Sequence, residues 1–318
     1  MPGPDADTRT LEAHGYTAVV SSLGATLAGA SFLGEPLITV VTPGLAWPGD
    51  YRGALLAPWP GRLADGRFTW RGHAFNVGID EEDRRTALHG RVADRTWQWR
   101  LASPVAVTLG TVLGDDAGYP WRVDLTVTVT VTERGITHTV TATNLGDEAA
   151  PLGWGVHPYL VAGPPADATG SDAGAADAWT LTVPAATVMS VTPERLLPRG
   201  IGPVGPGLDC RTGRPLRGLA LNHTFGDLAR DEDGFAVARL EGSTAVEVEV
   251  DAGYRWIQIY TADAAEGLDR RASVAVEPMT CPPDALNSGV DLMALEPGAT
   301  ASAAFTLRSA ETRRGRHP

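Results

Sequence analysis

From Val123 to Val131 the chain reads VDLTVTVTV, with an apolar residue at every second position and aspartate or threonine between. Side chains alternate across a strand with a period of two, so this pattern describes a strand with one buried face. On a helix the same valines would scatter around the cylinder. Glu133, Arg134 and Gly135 supply a short turn, and Ile136, His138 and Val140 then resume the alternation, which predicts a β-hairpin. His138 falls on the apolar face of that hairpin and is read as structural.

The rest of the chain repeats the theme. YTAVVSS, TWQWRLAS, AWTLTVPA, AVEVEV, RWIQIYTA, SVAVEP and SAAFTLRS read as further strands, and RFTWRGHAFNV as two short ones around Arg71 and Gly72. No segment holds a 3.6-residue period over three turns. The 37 glycines and 24 prolines are dispersed, as many short strands joined by turns require. The expected fold is all-β, one large antiparallel β-sandwich over residues 15–308, with an N-terminal arm at 1–14 and a tail at 309–318. Residues 162–178 and 198–207 read as loops. The second contains a literal G-x-G-x-x-G from Gly200 to Gly205, but Pro203 and Pro206 interrupt the helix start that a dinucleotide site needs.

Charge narrows the function classes. The net charge of the 318 residues is −12, with no Lys/Arg cluster to offset it, which speaks against nucleic acid and makes an anionic substrate less expected. The two cysteines, Cys210 and Cys281, form neither a zinc spacing nor a disulfide framework. The N-terminus lacks a basic segment followed by an apolar one, and no apolar run nears the roughly 18 residues of a membrane span. A cytoplasmic protein without membrane contact, monomeric or homodimeric, is expected. No metal-binding or serine-hydrolase motif is present, and no cofactor is expected.

Four residues stand out as candidates for chemistry. His157, in GWGVHPYL, precedes a proline that pushes it toward extended backbone. It reads either as a packed histidine or as a proton donor, since an imidazole pKa of about 6.5 suits donation near neutrality. Glu277, in SVAVEPM, lies on the strand face opposite Val274 and Val276, beside small Ser273 and Ala275, with Pro278 read as the strand's end. It is either an edge glutamate or a general base. His89 precedes a glycine in TALHGRV, and Arg62 follows a Pro-Trp-Pro-Gly turn, where a guanidinium can fork onto a hydroxylated ligand or pair on the surface. Among the nine tryptophans, Trp59, Trp154 and Trp256 lie near these candidates, as does Tyr260. Aromatic faces suit the C–H faces of sugars, although most tryptophans of a sandwich fill its core.

APWPGRLADGRF, ALHG, HPYL and VAVEPMTCPPDALNSG occur in the order and rough spacing found in aldose 1-epimerases, the galactose mutarotases, so that residues 15–308 resemble that family. The resemblance implies a galactose mutarotase-like sandwich with a concave face that holds a sugar. It places the general acid on His157, the general base on Glu277, and supporting sugar contacts on Arg62 and His89. Asn222, in ALNHTFGDL, stands where the family usually carries aspartate; Tyr260 and Trp154 join it as expected substrate contacts. Other departures are Gly61 for the usual asparagine before the arginine, Leu160 for a phenylalanine after the tyrosine, and Arg91 after LHG. The expected reaction interconverts the α and β anomers of a free aldohexose or related aldose. A hexose-phosphate 1-epimerase, drawing on Arg84, Arg85 or Arg91, and a non-catalytic sugar-binding protein are the alternatives.

Overall fold

The structure, a computed structural model, describes residues 7–41, 51–163, 174–265 and 270–310. The hairpin expected from the valine–threonine alternation is its centre. Val123–Thr132 and Gly135–Asn144 pair antiparallel along their whole length, with Val127 opposite Val140 and Val129 opposite His138. Ala106–Leu113 flanks one side and Thr300–Ser309 the other, in a nine-stranded sheet that continues through Ala245–Val250 and Ala236–Glu241. Its apolar positions face inward and are buried, each valine or leucine contributing on the order of 1.5–3 kcal/mol. His138 is among them, stacked on Phe305 at 5.1 Å, which makes it structural.

Threonines on the other face pair hydroxyl to hydroxyl across strands: Thr108 with Thr128 and Thr137 with Thr306 at 3.0 Å, Thr143 with Thr300 at 2.9 Å. Glu247 and Glu249 also take outward positions, yet both are buried. Arg308 lies between them, its Nε 2.8 Å from Glu247 and its Nη1 2.6 Å from Glu249, so the buried carboxylates have a cation in contact.

A second, eight-stranded sheet runs Pro198–Pro203, Ala185–Val191, Asn222–Leu228, Trp256–Tyr260, Val274–Met279, Gly155–Val156 and Leu55–Leu56, and Tyr159–Leu160 also pairs with Val274–Met279. Phe225, Ile257, Ile259, Val274 and Val276 point from it into the same apolar cluster as the hairpin valines. The two sheets therefore close on one core, as a β-sandwich. The period of two puts Thr224, Gln258, Tyr260 and Glu277 on the opposite face, where the candidate site lies.

Several boundaries differ from the sequence reading. Thr8–Ala13 is a strand paired with Tyr16–Ser21, and its Leu11 is fully buried, so the expected arm is part of the domain from residue 8. At the other end Ser309 closes a strand and Ala310 is buried; residues 311–318 lie outside the described residues. The loop expected at 198–207 begins as the strand Pro198–Pro203. It is the edge of its sheet, where proline's missing N–H is tolerated. Of the loop expected at 162–178, residues 164–173 lie outside the described residues and Ala175–Ala178 forms a helical turn. The strand bearing Glu277 runs through Pro278 to Met279. No helix among the described residues is long and apolar enough to cross a membrane.

Candidate active site

His157 occupies a break in the sheet. The strand Gly155–Val156 stops and Tyr159–Leu160 resumes, because Pro158 cannot donate to the ladder. The His157 N–H donates to the Ala54 carbonyl at 3.2 Å, its own carbonyl accepts from Gly53 at 2.8 Å, and the Pro158 carbonyl accepts from Val276 at 3.1 Å. Thus the break is fastened on both sides. The imidazole lies parallel to the Tyr159 ring, centroids 4.9 Å apart and planes 10° apart.

Glu277 reaches the same point from the neighbouring strand. Its Oε1 is 3.3 Å from His157 Nε2, and the two residues are only 2% and 5% exposed. Both border a cavity of about 370 Å³, a volume suited to a small ligand. Glu277 Oε2 and His157 Nδ1 have no hydrogen-bond partner among the described residues. Buried polar atoms of this kind are costly unless a ligand completes them. Burial pushes the Glu277 carboxyl well above its ordinary range, against a smaller opposing pull from the Arg62 charge. Burial likewise pushes the His157 imidazole down to about 3, helped by the charge of Arg52. Burial thus drives both groups toward their neutral forms.

Arg62 and His89 meet across a short two-stranded ladder, Arg62–Ala64 against Thr86–Leu88. The Arg62 guanidinium forks onto Glu81 at 2.8 and 2.7 Å, and Thr86 donates to the same carboxylate at 2.6 Å. Burial would raise Glu81, but these hydrogen bonds outweigh it and hold the carboxyl below its usual range. His89 Nδ1 accepts from the Gly61 N–H at 3.1 Å while the His89 N–H donates back to the Gly61 carbonyl at 2.9 Å. An Nδ1 that accepts fixes the proton of the neutral ring on Nε2. Desolvation, with the neighbouring His157 and Arg62, keeps His89 well below the ordinary imidazole range. Its ring meets His157 edge-on at 5.4 Å and Tyr51 at 4.6 Å.

Gly61 stands at φ +69°, where a Cβ would come within 2.7 Å of the Pro283 ring. A side chain at 61 would press on that ring, so glycine meets both the backbone conformation and the space at this place.

Asn222 and Tyr260 face each other across adjacent strands, and both line the cavity. Hence six of the seven residues singled out as catalytic or substrate-binding converge on one hollow: His157, Glu277, Arg62, His89, Asn222 and Tyr260. Trp154 does not. It is fully buried in the main core beside Val156, since strand alternation sends 154 and 156 inward and 157 outward. Trp59 is also core, its indole N–H donating to Ala87, and Trp256 donates to Asp291 outside the cavity lining. Of the three arginines considered for an anionic sugar, Arg84 lines the cavity while pairing with Glu81 at 3.3 Å, Arg85 pairs with Asp65 and Arg91 with Asp116.

The sequence reading missed Gln258 and Thr224, which complete the polar floor next to Glu277. Gln258 pairs in register with Glu277 on one side and with Thr224 on the other. Their signal was available, as polar residues alternating with Ile257, Ile259 and Phe225. Tyr51, Arg52 and Glu81 also line the hollow, and they lie in stretches without any periodicity to single them out. Arg52 covers the Tyr159 ring at 5.1 Å. No group of three or more His, Cys, Asp or Glu among the described residues is placed to hold a metal ion.

Comparison with known proteins bears on the family and the fold. Residues 7–308 match the family model for aldose 1-epimerase. The chain is 30% identical over 293 residues to the uncharacterized protein YihR of Escherichia coli strain K12, across 92% of this chain and 89% of that one. The fold superposes on an aldose epimerase homologue from C. elegans with a TM-score of 0.80 at 20% identity, over 96% of this chain and 99% of that one. Galactose 1-epimerase from Lactobacillus acidophilus NCFM gives 0.76 at 16% identity, over 96% and 95%. The extent of the family match, joined to a sandwich of the same architecture, establishes that the chain belongs to the aldose 1-epimerase family.

Proposed function

We propose that the chain interconverts the α and β anomers of a free aldohexose or related aldose, with His157 as general acid and Glu277 as general base. The observation that carries this reading is the 3.3 Å approach of His157 Nε2 to Glu277 Oε1 at the edge of a hollow of monosaccharide scale. The Glu277 carboxylate takes the proton of the C1 hydroxyl, and the His157 imidazolium delivers its proton to the ring oxygen. The C1–O5 bond breaks, leaving an open-chain aldehyde; the C1–C2 bond rotates, and both transfers reverse on closure. Each positioned transfer contributes on the order of 10²–10⁴ in rate. Arg62, His89, Asn222 and Tyr260 hold the sugar hydroxyls.

Burial of the pair also supports catalysis over simple binding. A binding protein gains nothing from holding a carboxyl and an imidazole side by side away from water, whereas such desolvation is costly.

Polarimetry on freshly dissolved α-glucose, α-galactose and selected pentoses tests the reading. Accelerated relaxation is expected, with a loss of two or more orders of magnitude in Glu277→Gln and in His157→Asn while the fold survives. A normal rate in either folded variant removes that residue from the mechanism. Acceleration confined to 6-phosphorylated sugars favours the hexose-phosphate reading, toward which Arg52 and Arg84 on the cavity wall point. Binding without acceleration favours a non-catalytic protein.

A further inference from the structure

We propose that Asn222 meets the sugar as a hydrogen-bond donor, its amide turned that way by a relay running from Thr224 through Gln258. The proposal rests on the cavity being the sugar site. It concerns which partner that site selects, a matter separate from whether it catalyses ring opening.

The relay lies across two neighbouring strands. Thr224 and Gln258 pair in register, as do Asn222 and Tyr260. The Thr224 hydroxyl donates to Gln258 Oε1 at 2.5 Å, and Gln258 Nε2 donates to Asn222 Oδ1 at 2.7 Å. The buried end fixes the direction. Thr224 is 3% exposed, and its hydroxyl carries one proton. Running the chain the other way would have Gln258 donate to Thr224 and turn that proton onto the cavity, giving up the internal acceptor that Gln258 Oε1 provides. With Gln258 Oε1 committed to Thr224, only its amide nitrogen can turn to Asn222. Asn222 must therefore accept with Oδ1, and the polar group it has left for the cavity is Nδ2, a donor.

An aspartate at 222 would accept the same bond from Gln258 and present a second acceptor oxygen instead. The two residues have nearly the same shape and opposite hydrogen-bonding sense. Against the aspartate that the resemblance implies at 222, the proposed difference lies in the sign of the contact rather than its position. Thr224 acts through Gln258 as a positioning residue, and the substrate oxygen read by Asn222 is selected for its ability to accept.

Deoxy and deoxyfluoro analogues separate the two senses, because carbon-bound fluorine can accept weakly but cannot donate. In the wild-type chain, removing the hydroxyl that Asn222 reads is expected to raise KM about tenfold, while fluorine at that carbon recovers part of the loss. Gln258→Glu is expected to abolish the recovery. An ionised glutamate there can only accept, so at a pH where it is ionised it draws Nδ2 of Asn222 toward itself and turns Oδ1 to the cavity; the fluoro and deoxy sugars then behave alike. Asn222→Asp should give the same pattern, and it answers the question if Gln258→Glu fails to fold.

Fluoro and deoxy analogues that behave alike at every ring carbon of the wild-type substrate overturn the proposal, as does the absence of any deoxy-sensitive position. Recovery that persists in the folded Gln258→Glu protein overturns the relay. If unmodified aldoses bind but are not accelerated, the epimerase reading fails and the same series is read by calorimetric binding. A chain that binds none of them overturns both.

Discussion

Placing alanine at Gly61 tests how far the site depends on one backbone conformation. Gly61 sits at φ +69°, and a Cβ there would lie 2.7 Å from Pro283 Cγ, 2.9 Å from its Cβ and 3.3 Å from its Cα. The left-handed conformation costs a non-glycine residue about 1–2 kcal/mol. The contact is with a proline ring rather than the end of a flexible side chain, and forcing an extra carbon into such a place costs about 1–3 kcal/mol more. Gly61→Ala should therefore destabilise by roughly 2–5 kcal/mol, against total stabilities of about 5–15 kcal/mol. Asparagine makes the same clash but tolerates the left-handed region better, so Gly61→Asn should be the milder of the two despite its size. Function should fall along with stability, since Gly61 donates to His89 Nδ1 and accepts from the His89 N–H. A backbone pushed from Pro283 carries the imidazole with it. Urea unfolding gives the change in midpoint, and polarimetry at a temperature where each variant is folded gives kcat/KM. Adding Pro283→Gly removes two of the three contacts, so the double variant should recover at least about 1 kcal/mol relative to additivity. An alanine variant with the wild-type midpoint and activity would refute the packing argument, and so would perfect additivity with Pro283→Gly.

Two further outcomes follow from the charges. Arg62 is the cation whose field pulls the Glu277 pKa down against burial, so Arg62→Gln should move the acid limb of kcat/KM to higher pH as well as raise KM; a limb that stays in place or moves down denies that coupling. His138 is buried, and burial pushes its pKa down to about 4, with neither ring nitrogen bonded among the described residues. The unfolded chain binds a proton near 6.5 that the folded chain refuses, so stability falls as pH drops from about 6.5 toward 4, by about 3 kcal/mol for this residue. His138→Leu should remove that share, and an equal loss for both proteins in urea titrations at pH 7 and pH 4.5 would contradict it.

How much of this was legible in the chain depends on periodicity. The hairpin and Glu277 were readable because an alternating strand declares which side each residue faces, and Val274 and Val276 left Glu277 one direction to point. The same rule, applied at 154 and 156, would have sent Trp154 into the core; proximity in sequence to His157 outweighed parity in that reading. The strand at 198–203 was hidden by its prolines, which an edge position tolerates. The strand at 8–13 was hidden because only Leu11 is buried in it. Glu81 could not be found from sequence at all. It sits in a run of acidic and basic residues, and only the ladder between 62–64 and 86–88 brings the following turn back onto Arg62.

The protonation of the central pair links burial to the proposed chemistry. Burial favours the neutral forms of His157 and Glu277 together. A neutral imidazole beside a protonated carboxyl carries the same number of protons as an imidazolium beside a carboxylate; the two states differ by one proton crossing the gap between Nε2 and Oε1. On the proposed reaction the neutral state is the one reached after ring opening, when Glu277 has taken the hydroxyl proton and His157 has given its own away. Burial therefore favours the protonation that, on the proposed reaction, belongs to the open-chain aldehyde. On the same proposal a cyclic sugar brings the pair to its charged form, its hydroxyls donating to Glu277 Oε2, which has no partner among the described residues, and accepting from the imidazolium. Hydrogen bonds to a charged group are stronger than those to a neutral one, so the sugar's own polar groups supply the free energy that shifts the proton. On this proposal charge separation is coupled to the bound sugar, whose polar groups offset the cost of a buried ion pair.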